Sequence, residues 1–445
     1  MAAVASTRDR DPYLAEFEEL ERRGSRRDPA WLVPRRRAAL ARFAEVGFPT
    51  VRDENWRYTN LASLAAARFR RPGARPRGIP AGGLEPFALA GADWPRLVFV
   101  NGRLAPRHSS RPPLPAGVRL SSLAEAMAAD GELLERHLGR HAAGEADPFA
   151  ALSTAFVEDG ALLFVPAETS LAVPVELLFA TTAPGAHVEP RVVIVAGAGS
   201  RLCVLERHVG LTPEAYFSNG VTEIAVGPGA TVDHYALQEE GRAAFHIATA
   251  GADLEAGSSL STCRASLGSR LARTTLSVRF GGPGGHGALS GLYLTDGQQH
   301  VDHHVTVDHA VPRCSSQQLY KGVLDGASRA VFNGRIIVRP DAQKTDANQT
   351  NKHLLLSEGA EVDSKPQLEI FADDVRCTHG AAEGQLAPEA LFYLRSRGLG
   401  EDAARALLTY GFAREVVDRI GLEPIRAYLD RRLMARLTGR AKEIA

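Results

Sequence analysis

A short glycine-led turn keeps returning through the middle of this chain. Gly199-Ser200-Arg201-Leu202, Gly229-Ala230-Thr231-Val232 and Gly257-Ser258-Ser259-Leu260 set its form. Gly287-Ala288-Leu289 shortens it, and Gly326-Ala327 and Gly359-Ala360-Glu361-Val362 continue it. The glycines step by 30, 28, 30, 39 and 33 residues. Glycine supplies positive φ at a corner, and a small neighbour lets stacked backbones approach closely. From about Phe149 to Pro388 the turns are separated by short runs rich in Val, Ile, Leu, Tyr and Phe, without a helical period. A repeat of ~20–50 residues with one strand group per period implies a stacked architecture. The lack of helices between strands excludes a doubly wound α/β sheet, and propeller blades would be more regular. The expected fold is mainly β, a β-helix-like solenoid whose ends need covering, with helical segments at both termini available as caps.

The first ~70 residues read as helical. PYLAEFEELERRG spaces Tyr13, Leu14, Phe17 and Leu20 along one face and closes on Gly24. RRRAALARFAEVGFP puts Leu40, Phe43 and Ala44 together before Gly47 and Pro49. ENWRYTNLASL follows, with Trp56 and Tyr58 read as core anchors. Residues 68–83 form a Pro/Gly/Arg linker. PRLVFVNGRLAP turns at Asn101-Gly102 like a hairpin, and LAEAMAADGELLERHLGRH is a helical patch. After Pro388 the helical period returns, with Ile425, Leu429, Leu433 and Leu437 as an i, i+4 stripe. The expected division is an N-terminal helical domain over 1–95, a β-helix core over 96–386 with repeats clearest from about 150, and a C-terminal helical domain over 387–445.

An apolar fraction of 44% in 445 residues supports a sizeable core. Zero formal net charge argues against nucleic acid or an anionic membrane as the main partner. Cys203, Cys263, Cys314 and Cys377 are too scattered for a disulfide framework and suit a reducing compartment. The first residues have no signal-peptide core, and no run reaches the ~20 apolar residues of a membrane span. A cytoplasmic location is expected.

The chemistry concentrates in residues 344–380, KTDANQTNKHLLLSEGAEVDSKPQLEIFADDVRCTHG. The chain has 52 Lys plus Arg but only five Lys, and Lys344, Lys352 and Lys365 fall in this window, with Lys321 just before it. A compact ammonium is therefore expected to matter here, since Arg cannot mimic one. Cys377 and His379 are two apart. On a strand they share a face at ~6–7 Å between Cα atoms, suited to a soft metal or sulfur. A packed thiol beside a surface imidazole is the plainer alternative. In HVDHHVTVDH, period two separates His303, Val305, Val307 and His309 from Asp302, His304, Thr306 and Asp308. The ligands do not converge, so stacked rung polarity or an interaction surface is expected rather than zinc. Residues 282–287 match GxGxxG, but a strand-like run follows where a phosphate site requires a helix. There is no P-loop, GxSxG or HExxH, and no catalytic residue is expected.

The stretch QLYKGVLDGASRAVFNGRIIVRPDAQKTDANQTNKHLLLSEGAEVDSKPQLEIFADDVRCTHGA, followed by LFYLRSRG, resembles the SufB/SufD family of iron–sulfur cluster assembly scaffolds. The likeness extends to ENWRYTNL and the C-terminal helices. SufB-type members carry a sulfur-accepting cysteine where this chain has Asn348-Gln349-Thr350-Asn351, and glutamates near the later histidine, so the resemblance points to the SufD branch. It implies a right-handed β-helix between two helical domains, a heterodimer with SufB, and an ATPase, SufC, docked on the C-terminal helices around Tyr410, Phe412 and Val416. A homodimer is a further possibility. It implies that His379 faces SufB and helps hold a transient cluster or iron, as a tentative shared metal ligand, with Cys377 as a nearby ligand or packed thiol. The chain would have no nucleotide site of its own, and a flavin is neither implied nor excluded. Two other readings compete: a carbohydrate-active β-helix enzyme using Asp373, Asp374 and Lys365, and a purely structural scaffold.

Overall fold

The computed structural model describes residues 11–24, 28–73, 78–142 and 147–439. The first ten residues and part of the linker expected at 68–83 lie outside the described residues. From Ala161 to Gly384 the chain winds as a β-helix of about eight coils. Consecutive strands alternate between two long sheets, and each strand pairs in parallel with the one a full coil later. The register offset per coil is 26 to 32 residues in the regular part. One sheet ends with the strands His286–Thr295, Ser315–Leu324, Asp346–Leu355 and Arg376–Gly384. The other ends with His300–His309, Arg329–Val338 and Glu361–Ile370.

The corners explain the repeat and correct its reading. One column of corners adopts positive φ at Glu168, Gly199, Gly229, Gly257, Gly284, Arg313 and Lys344, at intervals of 27 to 31 residues. The opposite column has Ser269, Gly297 and Gly326. The sequence repeat had joined the two columns. Gly287 lies inside the strand His286–Thr295, and Gly326 and Gly359 belong to the far side, which produces the step of 39. Side chains at Glu168, Arg313 and Lys344 occupy left-handed corners that a glycine search cannot find, because the stacked coils impose the conformation against the local preference.

Within the lumen, period two sorts the residues. Leu202, Val204, Ile224, Val226, Leu276, Val278, Phe280 and Val307 form a continuous apolar half. Glu206, His208, His234, Gln238, Arg264, His303 and Tyr320 carry polar groups into the rest of it. Outside, both sheets are covered by helices. The C-terminal helices Glu401–Val417 and Glu423–Leu437 lay Val416, Val417, Ile425, Tyr428 and Leu429 on Leu205, Leu237, Leu292 and Leu319 of one sheet. The N-terminal helices Asp11–Gly24 and Leu32–Val46 pack Tyr13, Phe17 and Phe43 with Phe149 and Phe156 against Phe217, Phe245 and Leu271 of the other. Each such side chain contributes about 1.5–3 kcal/mol by leaving water.

The terminal helices therefore cover flanks and do not cap ends, contrary to the sequence expectation. A solenoid exposes far more surface along its sides than at its tips, and amphipathic helices go where the apolar area is. The first end is closed by two short antiparallel strands. Arg103–Leu104 follows the Asn101-Gly102 turn, where both residues have positive φ, and Arg119–Ser122 pairs with Ala161–Val165. The β grammar also begins later than Phe149, because Pro148–Phe156 is a helix whose Asp147 side chain accepts from the Phe149 N–H. Nearly every residue of that helix is buried, so its sequence shows no amphipathic period.

Candidate functional site

The last coil is built differently from the rest. Glu361–Ile370 and Arg376–Gly384 are the terminal strands of their sheets, each paired on one side only. Most of Arg376–Gly384 is exposed, while the equivalent strands one coil earlier alternate with buried positions. A row of free backbone N–H and C=O groups on such an edge is a template for another chain. Ile370 and Phe371 are exposed on its rim.

Cys377 and His379 share the inward face of this final strand, as their spacing predicted. The register sets Cys377 on Ala347 and His379 on Gln349. Cys377 is half-buried among Ile336, Val338, Ala347, Leu368 and Val375, and burial pushes its thiol pKa up. At neutral pH it is a thiol in this chain, not a ready thiolate. His379 is exposed, and its ring makes no hydrogen bond to a described residue. No group of three or more His, Cys, Asp and Glu capable of holding a metal occurs among the described residues. Cys377 and His379 offer two ligands at most, and any cluster there needs ligands from elsewhere.

Beneath His379 lies a polar row that motif reading missed. Gln349 is fully buried, with neither amide atom hydrogen-bonded to a described residue. Asn351, the position matched to the missing SufB-type cysteine, points into the lumen and donates to Ser364 at 2.6 Å. His353 meets the Tyr293 hydroxyl at 2.5 Å, and burial lowers its pKa to about 4, so it is neutral. Glu383, on the same face as His379, has its pKa raised by burial and by Asp363. Period two in ANQTNKHLL, combined with the ~30-residue register, is the signal that would have found these residues.

The other candidates separate. In HVDHHVTVDH, His303 and His309 face the lumen, stacked on Tyr293 at 4.9 Å and Phe280 at 4.6 Å. Asp302 faces outward and pairs with Arg273, whose guanidinium sits 3.6 Å over Trp56. This is the stacked rung polarity that was expected. The lysines do not build one site. Lys321 is buried against Glu415 and Phe412, Lys344 pairs with Asp374 at a corner, and Lys365 reaches Glu54 at 3.0 Å on the other sheet. Asp373 and Asp374 lie at that corner, after the strand that carries Lys365, and Lys365 pairs with Glu54 instead of with either of them. The strand His286–Thr295 follows the GxGxxG match, as its rejection required.

Of the C-terminal trio, Val416 is fully buried against the solenoid. Tyr410 donates to Asp430 at 2.9 Å, and the Phe412 carbonyl accepts from Lys321 at 2.9 Å. Val416 therefore presents nothing to a partner. The exposed apolar side chains of these helices are Phe392, Tyr393, Leu407 and Met434, with Phe392 at 75% exposure. Sequence periodicity identified the stripe but not which side faced the sheet.

Comparison with known proteins agrees with this architecture. Residues 179–412 match the family model "SUF system FeS cluster assembly, SufBD core domain", and residues 7–177 match "SufBD protein N-terminal region". An iron–sulfur cluster assembly SufBD family protein of Synechocystis is 34% identical over 408 residues, 89% of each chain. The iron–sulfur cluster assembly protein SufD of Escherichia coli is 30% identical over 92% of this chain and 94% of its own. SufD of Bacillus subtilis is 25% identical over 94% of this chain and 95% of its own. A mainly β solenoid flanked by helices, matched almost end to end by these models and relatives, belongs to the SufBD family of iron–sulfur cluster assembly proteins.

Proposed function

We propose that this chain is a SufD-type scaffold subunit with no catalytic residue of its own. It pairs with a SufB-type partner through the open last coil and carries a SufC-type ATPase on its C-terminal helices. The observation that carries this reading is the uncapped final coil with His379 and Cys377 at its inner rim. An edge with two free strands and half a ligand set is what a site shared between two subunits requires. A neutral imidazole suits ferrous iron, and a thiol becomes a good sulfur ligand once a metal displaces its proton. Phe392, Tyr393 and Leu407 support docking of the ATPase on the outer side of the C-terminal helices. ATP hydrolysis would occur in that partner, and the three-part division at residues 95 and 386 belongs to the same proposal. Among the described residues no helix is long and apolar enough to cross a membrane.

The test is co-expression with SufB and SufC, with and without His379→Ala, purified anaerobically and read by complex yield and by visible cluster absorbance. An intact complex without cluster is expected for His379→Ala. Normal cluster in the variant would leave the chain as structure only, and failure of the wild-type chain to bind either partner would sink the reading.

A further inference from the structure

The two strands that end the solenoid present different free edges. The N–H groups of Glu361 and, just past the end of its strand, Phe371 donate to Ser328 and Val338 of the coil beneath. Successive residues of a strand point their N–H to opposite edges, so the even-numbered residues of Glu361–Ile370 face the free side. Pro366 falls among them and has no N–H to give. The free edge of Arg376–Gly384 contains no proline. A backbone ladder on Glu361–Ile370 is therefore interrupted at its centre, and recognition there falls to side chains.

The outward face of that strand carries Glu361, Asp363, Lys365, Gln367 and Glu369. Glu361 and Glu369 are held by Arg329 and Arg335 of the coil beneath, the latter through two bonds of 2.7 Å. Lys365 is held differently. It ends a row, His304–Asn333–Lys365, in register across three coils. Among the described residues its Nζ pairs only with Glu54, at 3.0 Å. Glu54 belongs to the N-terminal segment that crosses this sheet, anchored by Trp56 under Arg273 at 3.6 Å and by Thr59 on Asp302 at 2.5 Å. The Glu54 side chain itself is 80% exposed. A solvent-open cleft of about 250 Å³ adjoins the pair, lined by Asn55, Tyr58, His304 and Asn333 among others.

An exposed lysine–glutamate contact adds little net stability. A single ammonium contact also exchanges partners more freely than the two-bond fork of Arg335 on Glu369. Both make Glu54 a replaceable occupant, in a chain that elsewhere prefers arginine. We propose that Lys365 receives a carboxylate side chain from the strand that a partner subunit adds to this edge, and that Glu54 is the internal stand-in which this carboxylate displaces. The proposal rests on the reading that a SufB-type partner pairs at the open coil. An added strand lies ~4.8 Å beyond the last one, within reach of the lysine arm, and the cleft leaves room for the incoming side chain. Asp363, two residues earlier on the same face, makes no ion pair among the described residues. It repels a carboxylate set opposite itself, which fixes the register of the added strand.

Binding of the full chain to the purified SufB-type partner, followed by surface plasmon resonance at low and at physiological salt, tests the exchange. Lys365→Met should weaken binding about tenfold at low salt and less at physiological salt, with much of the loss in the association rate. Glu54→Gln should act in the opposite direction and tighten binding about threefold, because the internal competitor is gone. Opposite signs distinguish the exchange from a purely structural pair, which loses from either side. Equal weakening by the two substitutions, or no change in either, would overturn the proposal. So would a Lys365-dependent self-association of the chain in light scattering with partner affinity unchanged, which makes a second copy the occupant. Should Lys365→Met fail to fold, the sign of the Glu54→Gln change decides alone. If the unaltered chain does not bind the partner, pairing at the open coil fails and the exchange fails with it. Binding that neither substitution alters leaves the pairing intact and removes Lys365 from it.

Discussion

The two ends of the solenoid solve the same physical problem in opposite ways. At the first end the strand Arg96–Val100 is fully sealed. Phe99 stacks on Phe179 at 4.9 Å, and an antiparallel return from the Asn101-Gly102 turn covers the edge. At the last end Glu361–Ile370 and Arg376–Gly384 have no return strand among the described residues, and the inward residues of Arg376–Gly384 are Cys377, His379, Ala381 and Glu383 instead of large apolar groups. A stacked sheet must finish somewhere, and a finished edge needs cover. The chain supplies that cover itself at one end and leaves the other uncovered among the described residues, which is where the proposed partner would pair.

The largest test applies one kind of substitution to both ends. Phe99→Asp should abolish cooperative unfolding by circular dichroism, because a buried unpaired charge costs at least about 4 kcal/mol. Phe371→Asp, at a residue 59% exposed, should leave stability within about 0.5 kcal/mol but lower recovery of a SufB-type partner in pull-down at least tenfold. Equal effects of the two substitutions on folding would erase the distinction between the ends.

Next in size is the anchor near the sealed end. Glu223 pairs with Arg191 at 2.5 Å and accepts the backbone N–H groups of Gly139, Arg140 and His141, holding the preceding helical segment on the sheet. Its partners keep its pKa below the ordinary carboxylate value despite burial. Glu223→Gln leaves Arg191 buried and unpaired, and should cost about 3–5 kcal/mol in urea unfolding.

Acid should expose the interior near the open end. Burial holds the His353 pKa at about 4, below the ~6.5 of the unfolded chain. Its neutral form therefore contributes full stability above about pH 6.5, and that contribution is lost as the pH falls toward 4. The loss amounts to about 3 kcal/mol for this one group. His353→Gln should flatten the stability profile across that window, and an unchanged slope would remove His353 from the account.

The smallest effect compares two glycines. A Cβ on Gly322 would lie 2.2 Å from the Tyr293 ring, so Gly322→Ala should destabilise by about 1–3 kcal/mol. Nothing lies within 4 Å of a Cβ on Gly380 at the open rim, and Gly380→Ala should change the isolated chain by under about 0.5 kcal/mol.

The sequence by itself determined the solenoid, its ~30-residue coil, the hairpin at Asn101-Gly102 and the shared face of Cys377 and His379. These follow from local rules: period-two alternation, turn chemistry and the spacing of apolar runs. It could also eliminate the GxGxxG match, because the residues that follow are strand formers. Tertiary structure decided the rest. Only stacking can hold Glu168, Arg313 and Lys344 in left-handed corners. Only the register, which relates residues ~30 apart, brings Gln349 beneath His379 and leaves Arg264 between Ala236 and Gly291. The same holds for the helices. Their periodicity shows a sticky face but not its target, and Val416 went to the sheet because the flank offered more apolar area than the tip. Local pattern says which side chains point together, while partners contributed from other coils, through space, decide what they meet.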